Sequence, residues 1–235
     1  MIFVEGEGDH SVVELLLSRI CQSPGGHYAR GVTVIEAAGL GKVKHLVALA
    51  EMFGVRSFVV ADKDGVRTRG GQRVLLQVLA SRHSAPPEDV RQRMRTMADR
   101  SCPTVMKALA VQREINKALR PYGAFVMSSD LEGLLLDIYG TDNLVEALGP
   151  DEEGVMAEQF AEELAEADDA RERLASWIGS KGWNGDAKTS GKLEPHLPRL
   201  LLERWFEDEE ETPRALRPLE RWLTRIVNDA SPTPL

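Results

Sequence analysis

The apolar residues of this chain alternate between short runs of strand length and longer stretches with helical spacing. Strand-like runs occupy residues 2–4, 32–35, 57–61 and 123–127, and each ends at a turn that contains acidic residues, glycine or serine. Between the first three runs, apolar residues recur every three or four positions, which predicts amphipathic helices. This order of strands and helices predicts an α/β fold with a mostly parallel, four-stranded sheet and right-handed crossovers.

A helical insertion interrupts this alternation at about residues 66–122. The starts of its three predicted helices are marked by Gly70-Gly71, Pro86-Pro87 and Pro103. A helix from Leu131 to Tyr139 follows the fourth strand. We therefore expect an α/β domain over residues 1–140, a C-terminal helical lobe over residues 141–228, and a flexible tail over residues 229–235.

The helical lobe is predicted in four parts. Residues 151–178 are expected to form a long acidic helix, and residues 179–195 a loop rich in glycine and lysine. Two helices are expected after it, at about 197–206 and 215–227, from the spacing of their apolar residues.

Groups of two or three acidic residues follow three of the four predicted strands. They are Glu5, Glu7 and Asp9 after the first, Asp62 and Asp64 after the third, and Asp130 and Glu132 after the fourth. The carboxyl ends of parallel strands meet at one edge of a sheet, so these acids should converge there. Such acids repel one another unless divalent cations neutralise them. The pattern therefore predicts a site for Mg²⁺ or Mn²⁺.

Local geometry gives three further expectations. Asp62 and Asp64 are two positions apart, so in an extended strand their side chains would share a face. Asp9 or Ser11 can cap the first helix, and Asp130 can cap the helix that begins at Leu131. Lys63, between two aspartates, can either contact a phosphate or offset their mutual repulsion.

The net charge of −8 argues against nucleic-acid binding, but the charges are unevenly distributed. Residues 151–170 hold nine acids and no Lys or Arg, whereas residues 63–100 hold nine Lys or Arg against four acids. The basic stretch is either a phosphate-binding surface or a solvated helical face. The sequence shows neither a membrane-length apolar stretch nor a signal peptide, and Cys21 and Cys102 suit reduced thiols, so we expect a cytoplasmic protein.

Four motifs carry a resemblance to a known family. Val4-Glu5-Gly6 at the end of the first strand, together with Asp62-Lys63-Asp64 after the third, resembles the Toprim domain of topoisomerases, primases and related nucleases. Glu36-Ala37-Ala38-Gly39 fits the second-strand turn of these domains. Residues 129–134 resemble the additional acidic motif of the overcoming-lysogenization-defect (OLD) nucleases. The long insertion is similar to that of the second class of these nucleases.

The resemblance implies cleavage of DNA phosphodiester bonds with two Mg²⁺ or Mn²⁺ ions, which Ca²⁺ can replace in binding. It implies that Glu5, Asp62 and Asp64 hold one ion and that Asp9, Asp130 and Glu132 help to hold the second. Glu5 would lie between the ions, and Glu7 is a lower-ranked ligand. OLD nucleases also use a lysine near the scissile phosphate. Lys192 matches it best and Lys188 second.

Full-length OLD nucleases carry an ABC-type ATPase before the Toprim part, and this chain contains no Gly-x-x-x-x-Gly-Lys-Ser/Thr loop. We therefore expect the nuclease fragment of a longer ATPase–nuclease, and a homodimer formed through that other region stays open. Three alternatives remain: a different Toprim enzyme such as a topoisomerase or primase, a non-catalytic metal-binding module, and a doubly wound phosphatase or phosphotransferase.

Overall fold

The computed structural model describes residues 1–80, 88–102, 104–140, 143–144, 196–209 and 211–230. The predicted acidic helix over residues 151–178 lies outside the described residues. The same is true of the predicted loop that carries Lys188 and Lys192.

The strands form one parallel, four-stranded sheet, which confirms the predicted α/β class. They are β1 (Ile2–Val4), β2 (Val34–Glu36), β3 (Phe58–Ala61) and β4 (Ala124–Val126), in the spatial order β2-β1-β3-β4. In register, Phe3 of β1 pairs with Ile35 of β2 on one side and with Val59 of β3 on the other. The two inner strands are thus β1 and β3.

Helices connect the strands and follow the sheet. Those up to β3 are α1 (Glu7–Ile20), α2 (Gly26–Ala29) and α3 (Leu40–Met52). The insertion contains α4 (Asp64–Arg67), α5 (Arg69–Ala80), α6 (Glu88–Ala98), α7 (Val105–Leu119) and a 3₁₀ turn (Arg120–Tyr122). After β4 come α8 (Leu131–Tyr139), α9 (Leu197–Asp208) and α10 (Arg217–Ala230).

Side chains alternate between the two faces of the sheet, as the period of a strand requires. Ile2, Val4 and Val60 share a core with α1, α8, α9 and α10. Phe3 and Val59, which point to the other side, pack with α3 and α5, while β4 packs with the insertion. Both faces are therefore covered, which is typical of a parallel sheet.

The C-terminal helices belong to the first of these cores. Trp222 of α10 packs edge-on against Phe58 at 5.8 Å and in a tilted arrangement against Phe125 at 5.4 Å between ring centroids. Leu201 and Leu202 of α9 are buried in the same cluster. The end of the chain thus helps to hold β3 and β4 in place.

Some helix boundaries differ from the expectations. Helix α1 begins at Glu7 with Gly6 as its N-cap, so neither Asp9 nor Ser11 is the N-cap residue. Asp9 nevertheless helps to cap the helix, because its carboxylate accepts from the N–H of Gly6. Helix α10 runs to Ala230 and includes the first two residues of the predicted tail. Within the described part of the chain, no helix combines the length and apolar character needed to span a membrane.

Candidate functional site

The strand order creates a crevice at the carboxyl ends of β1 and β3. From β1 the chain crosses to β2 on one side and then returns to β3 on the other side of β1. In open α/β sheets, ligands bind outside the carboxyl ends of the strands at such a switch point. Glu5 follows β1 and Asp62 follows β3, so both acids lie at this crevice.

Asp62 is a strongly perturbed acid at the crevice. Burial raises the pKa of Asp62 well above its usual range, and the negative charges of Glu5, Asp64 and Asp9 raise it further. The backbone N–H of Asp64 donates to Asp62 Oδ1 at 2.7 Å, and this hydrogen bond lowers the pKa of Asp62. We call Glu5, Asp9, Asp62 and Asp64 the carboxylate cluster.

The backbone around β1 orients two members of this cluster. Asp9 Oδ2 accepts a hydrogen bond from the N–H of Gly6 at 3.1 Å, which ties the first turn of α1 to the end of the strand. Gly39 donates its N–H to the carbonyl of Glu5 at 2.7 Å with a φ of 109°, a conformation that favours glycine. The turn after β2 therefore fixes the backbone at Glu5. Glu7 is exposed in the first turn of α1.

Asp64 does not share an extended strand with Asp62, which corrects the expectation from their spacing. Strand β3 ends at Ala61, and Asp64 is the first residue of the short helix α4. The Asp64 carbonyl accepts from Thr68 Oγ1 at 3.0 Å, and Thr68 Oγ1 accepts from the N–H of Gly71 at 2.9 Å. The chain therefore turns within three residues of the strand, and α5 packs directly on the backbone of Asp64.

Lys63 is buried, with only 2% of its side chain exposed, so it is not an exposed phosphate ligand. Its Nζ lies 3.7 Å from Asp130 Oδ2. Asp130 Oδ1 accepts from the N–H of Gly133 at 3.0 Å, and Asp130 is the N-cap of α8 as predicted. This ion pair therefore joins the segment after β3 to the acidic motif after β4.

Two further acids lie on α8. Glu132 is buried in its first turn. Burial, and then the charge of Asp130, raises the pKa of Asp137 to about 6. The negative charge at the sheet edge thus extends from the carboxylate cluster to Asp130 and along α8.

Asn116 of α7 is a positioning residue that the sequence patterns did not single out. Its side-chain amide donates to the carbonyl of Val126 at 2.9 Å and accepts from the N–H of Val126 at 2.8 Å. A buried asparagine can thus satisfy both backbone groups at the end of an edge strand. It fixes the point at which β4 leads into the acidic motif.

The side chains of this site suit a hard divalent cation. Across the described residues, no three His, Cys, Asp or Glu side chains are arranged to hold a metal ion as they stand. The carboxylate cluster nevertheless offers only oxygen ligands, and the buried Asp64 Oδ1 has no hydrogen-bond partner within the described ranges. Mg²⁺ keeps several waters and uses as few as one or two carboxylates, so this donor set fits it.

Comparisons with known proteins bear on this site. The model of the overcoming lysogenization defect protein-like TOPRIM domain matches residues 1–64, which contain the whole carboxylate cluster. A search of curated proteins gave no match.

Two solved structures match over nearly the whole chain. The first is the C-terminal region of the Xanthomonas campestris pv. campestris OLD protein phased with mercury. It is 18% identical, with a TM-score of 0.53 over 97% of this chain and 94% of that chain. A structure of that region phased with platinum is 17% identical, with a TM-score of 0.48 over 97% and 92% of the two chains.

The mercury-phased structure establishes the likeness of fold, and the family model places the four acids in a recognised domain. Residues 1–64 of this chain are therefore similar to the TOPRIM domain of overcoming lysogenization defect protein-like proteins.

Proposed function

We propose that this chain is a divalent-metal-dependent DNA endonuclease or nickase that hydrolyses phosphodiester bonds. The observation that supports it best is the convergence of Glu5, Asp9 and Asp64 on Asp62 at the switch point of the sheet. Mutual repulsion of this kind destabilises a fold, and strongly perturbed acids in a crevice are typical of functional sites.

We assign the metal ligands as the resemblance implies. Glu5, Asp62 and Asp64 would hold one Mg²⁺ or Mn²⁺, and Asp9, Asp130 and Glu132 would help to hold a second, with Ca²⁺ able to bind in their place. When bound, two such ions supply positive charge to the phosphate and lower the pKa of water.

The chain's own residues prepare this site in defined ways. The N–H groups of Asp64 and Gly6 restrict the carboxylates of Asp62 and Asp9. The buried ammonium of Lys63 offsets part of the negative charge at Asp130. Lys192, or Lys188 as the alternative, would stabilise charge growing on the scissile phosphate; both lie outside the described residues.

We further propose that the activity belongs to a longer ATPase–nuclease of the second OLD class. The support is the likeness of fold to a structure described as the C-terminal region of an OLD protein. In that arrangement an N-terminal ABC-type ATPase region would precede the Toprim domain, and DNA would be the substrate.

A non-catalytic metal-binding module is the second candidate. It is favoured by the lack, across the described ranges, of three acids already arranged to hold an ion. Such a protein would bind divalent cations through the carboxylate cluster and leave DNA intact. A different Toprim enzyme would also use the cluster, but with other products.

The deciding experiment is incubation of supercoiled plasmid with the purified chain and Mg²⁺, Mn²⁺, Ca²⁺ or EDTA. Asp62→Asn is the test variant, because asparagine retains an acceptor for the N–H of Asp64. Glu36→Gln is the matched control, since Glu36 is an exposed acid at the end of β2. Nicked or linear DNA that needs Mg²⁺ or Mn²⁺ and Asp62 supports the proposal. Intact plasmid in every condition, with cation binding retained, favours the non-catalytic module.

A further inference from the structure

A cavity of about 860 Å³ lies between α4, α5 and α6, in the helical insertion. Its lining includes five arginines from all three helices: Arg67, Arg69, Arg73, Arg91 and Arg95. Asp99 is the one acid among the described residues that line it. We call this the arginine cavity.

Two of the cavity arginines, Arg91 and Arg95, form ion pairs with an exposed acid, Glu88. In Glu88, Oε2 lies 3.8 Å from Nη1 of Arg91 and Oε1 lies 3.9 Å from Nη1 of Arg95. The guanidinium of Arg67 donates to the carbonyl of Ala98, which fixes its position. Guanidinium groups bind phosphate oxygens through paired N–H donors, so a cavity of this composition suits phosphate groups.

The other lining residues indicate whether the cavity suits a small phosphate-containing molecule or the backbone of a nucleic acid. Besides the charged residues, the described lining consists of glutamine, leucine and alanine, with no aromatic ring on which a base could stack. Pockets for small molecules are mostly apolar, with few polar groups. Repeated arginines and the lack of a stacking surface instead favour the sugar–phosphate backbone of a nucleic acid.

The position of α4 links this cavity to the carboxylate cluster. Helix α4 begins with Asp64 of the cluster and ends with Arg67 of the cavity. At about 1.5 Å of rise per residue, four residues span roughly 6 Å. A DNA strand carries one phosphate per about 3.4 Å of helix axis, so a strand held at Asp64 reaches the cavity within a few nucleotides.

We propose that the arginine cavity binds backbone phosphates of the DNA substrate beside the bond that is cut. The inference rests on the proposed function, because it assumes that the carboxylate cluster acts on DNA. In this arrangement the arginine cavity holds the DNA strand next to the cleaved bond. The arginines of α6 then have two different roles. Arg91 and Arg95 line the cavity, whereas Arg93 between them is exposed and does not.

The test compares Arg91→Gln/Arg95→Gln with Arg93→Gln in the full chain. Binding of fluorescently labelled duplex DNA is followed by anisotropy over a range of NaCl concentrations, in EDTA so that cleavage cannot occur. Each lost phosphate contact reduces the slope of log K against log salt by about 0.9. The double variant should lose roughly one to two units of slope, while Arg93→Gln should keep the wild-type slope. Equal slopes in all three proteins, or an equal loss in Arg93→Gln, would overturn the proposal.

A second experiment distinguishes binding of DNA backbone phosphates from binding of a free nucleotide. ATP and inorganic pyrophosphate are titrated into the same proteins by calorimetry. Weak binding of both, with the double variant impaired mainly on DNA, supports the proposal. Tight ATP binding that depends on Arg91 and Arg95, with an unchanged DNA slope, would contradict it and indicate a nucleotide site.

Cleavage is assayed separately, so the two proposals can fail independently. A reduced slope in the double variant of a chain that cuts no DNA supports the cavity and contradicts the nuclease function. Metal-dependent cleavage with an unchanged slope contradicts the cavity and supports the nuclease function.

Discussion

The carboxylate cluster and the arginine cavity are regions of opposite charge joined by one turn of helix. The cluster gathers acids from the ends of β1 and β3, and burial raises the pKa of Asp62 at its centre. The cavity gathers arginines from α4, α5 and α6 around a space of about 860 Å³. Asp64 and Arg67, at the two ends of α4, belong to one region each.

The difference between the regions lies in how the fold compensates each charge. At the cluster, backbone N–H groups hold two of the carboxylates, and beside it the buried Lys63 pairs with Asp130. At the cavity, the acid that pairs with Arg91 and Arg95 within the described residues is the exposed Glu88. Exposed ion pairs contribute little, so Arg91 and Arg95 remain available to an external anion. The cluster therefore suits a small cation, and the cavity suits an extended anion.

The largest expected effect is the loss of cleavage in the Asp62→Asn variant, which removes one acid of the carboxylate cluster. Loss of groups that only support metal ligands costs about 10- to 100-fold, so loss of a proposed ligand should exceed roughly 100-fold. The variant should also melt at a higher temperature in EDTA, because an acid with a raised pKa destabilises the fold once it ionises. Plasmid cleavage and thermal unfolding measure the two effects, with Glu36→Gln as control. Full cleavage by the Asp62→Asn variant would show that Asp62 is not needed for the reaction.

The next effect tests the compensating cation. Lys63→Met should destabilise the fold by about 3 kcal/mol, the low end for breaking a buried pair, because Asp130 is 24% exposed. Urea denaturation measures this loss. In the double variant with Asp130→Asn, which keeps an N-cap at α8, part of the stability should return. A double variant that loses the sum of the two single effects would show that the pair is not coupled.

The third effect tests the close packing of α5 on α4. A Cβ at Gly71 would lie 1.9 Å from the carbonyl oxygen of Asp64, whereas a Cβ at Gly70 would meet nothing within 4 Å. Gly71→Ala should therefore cost about 1–3 kcal/mol and reduce cleavage by displacing Asp64. The matched control Gly70→Ala should be neutral or up to about 1 kcal/mol more stable, since alanine favours the helix. Equal stabilities of the two variants would contradict this packing.

The smallest effect concerns the edge of the acidic region. Burial and the charge of Asp130 raise the pKa of Asp137 to about 6. A raised folded-state pKa gives a stability contribution that is present at low pH and is lost as the pH rises through about 6. Asp137→Asn should therefore match the wild type near pH 4 and melt a few degrees higher near pH 8. A melting difference that is the same at both pH values would show that Asp137 is not perturbed.

The sequence predicts the acidic region better than the basic one. All four strands lie within about two residues of their expected positions, because apolar runs that end in acids are local patterns. Helix α8 and its Asp130 cap were predicted correctly, since a cap and its helix are adjacent in sequence.

Features that depend on packing between distant segments were not predictable. Helix α4 has only four residues, too few for a periodic pattern, so the sequence did not show that Asp64 lies in a helix and not in the extended backbone in which it would share a face with Asp62. The burial of Lys63 depends on Asp130, which lies in another strand-end segment. The arginine cavity forms only when α5 and α6 pack together, so composition alone could not separate Arg93 from Arg91 and Arg95.

The most direct test of the central claim is calorimetric titration of Mn²⁺ into the wild type, Asp62→Asn and Glu36→Gln. The carboxylate cluster predicts saturable binding by the wild type and Glu36→Gln that strengthens as the pH rises, because protons on Asp62 compete with the cation. It predicts that Asp62→Asn loses this binding. Undiminished Mn²⁺ binding by a folded Asp62→Asn variant would contradict a metal site at the switch point of the sheet.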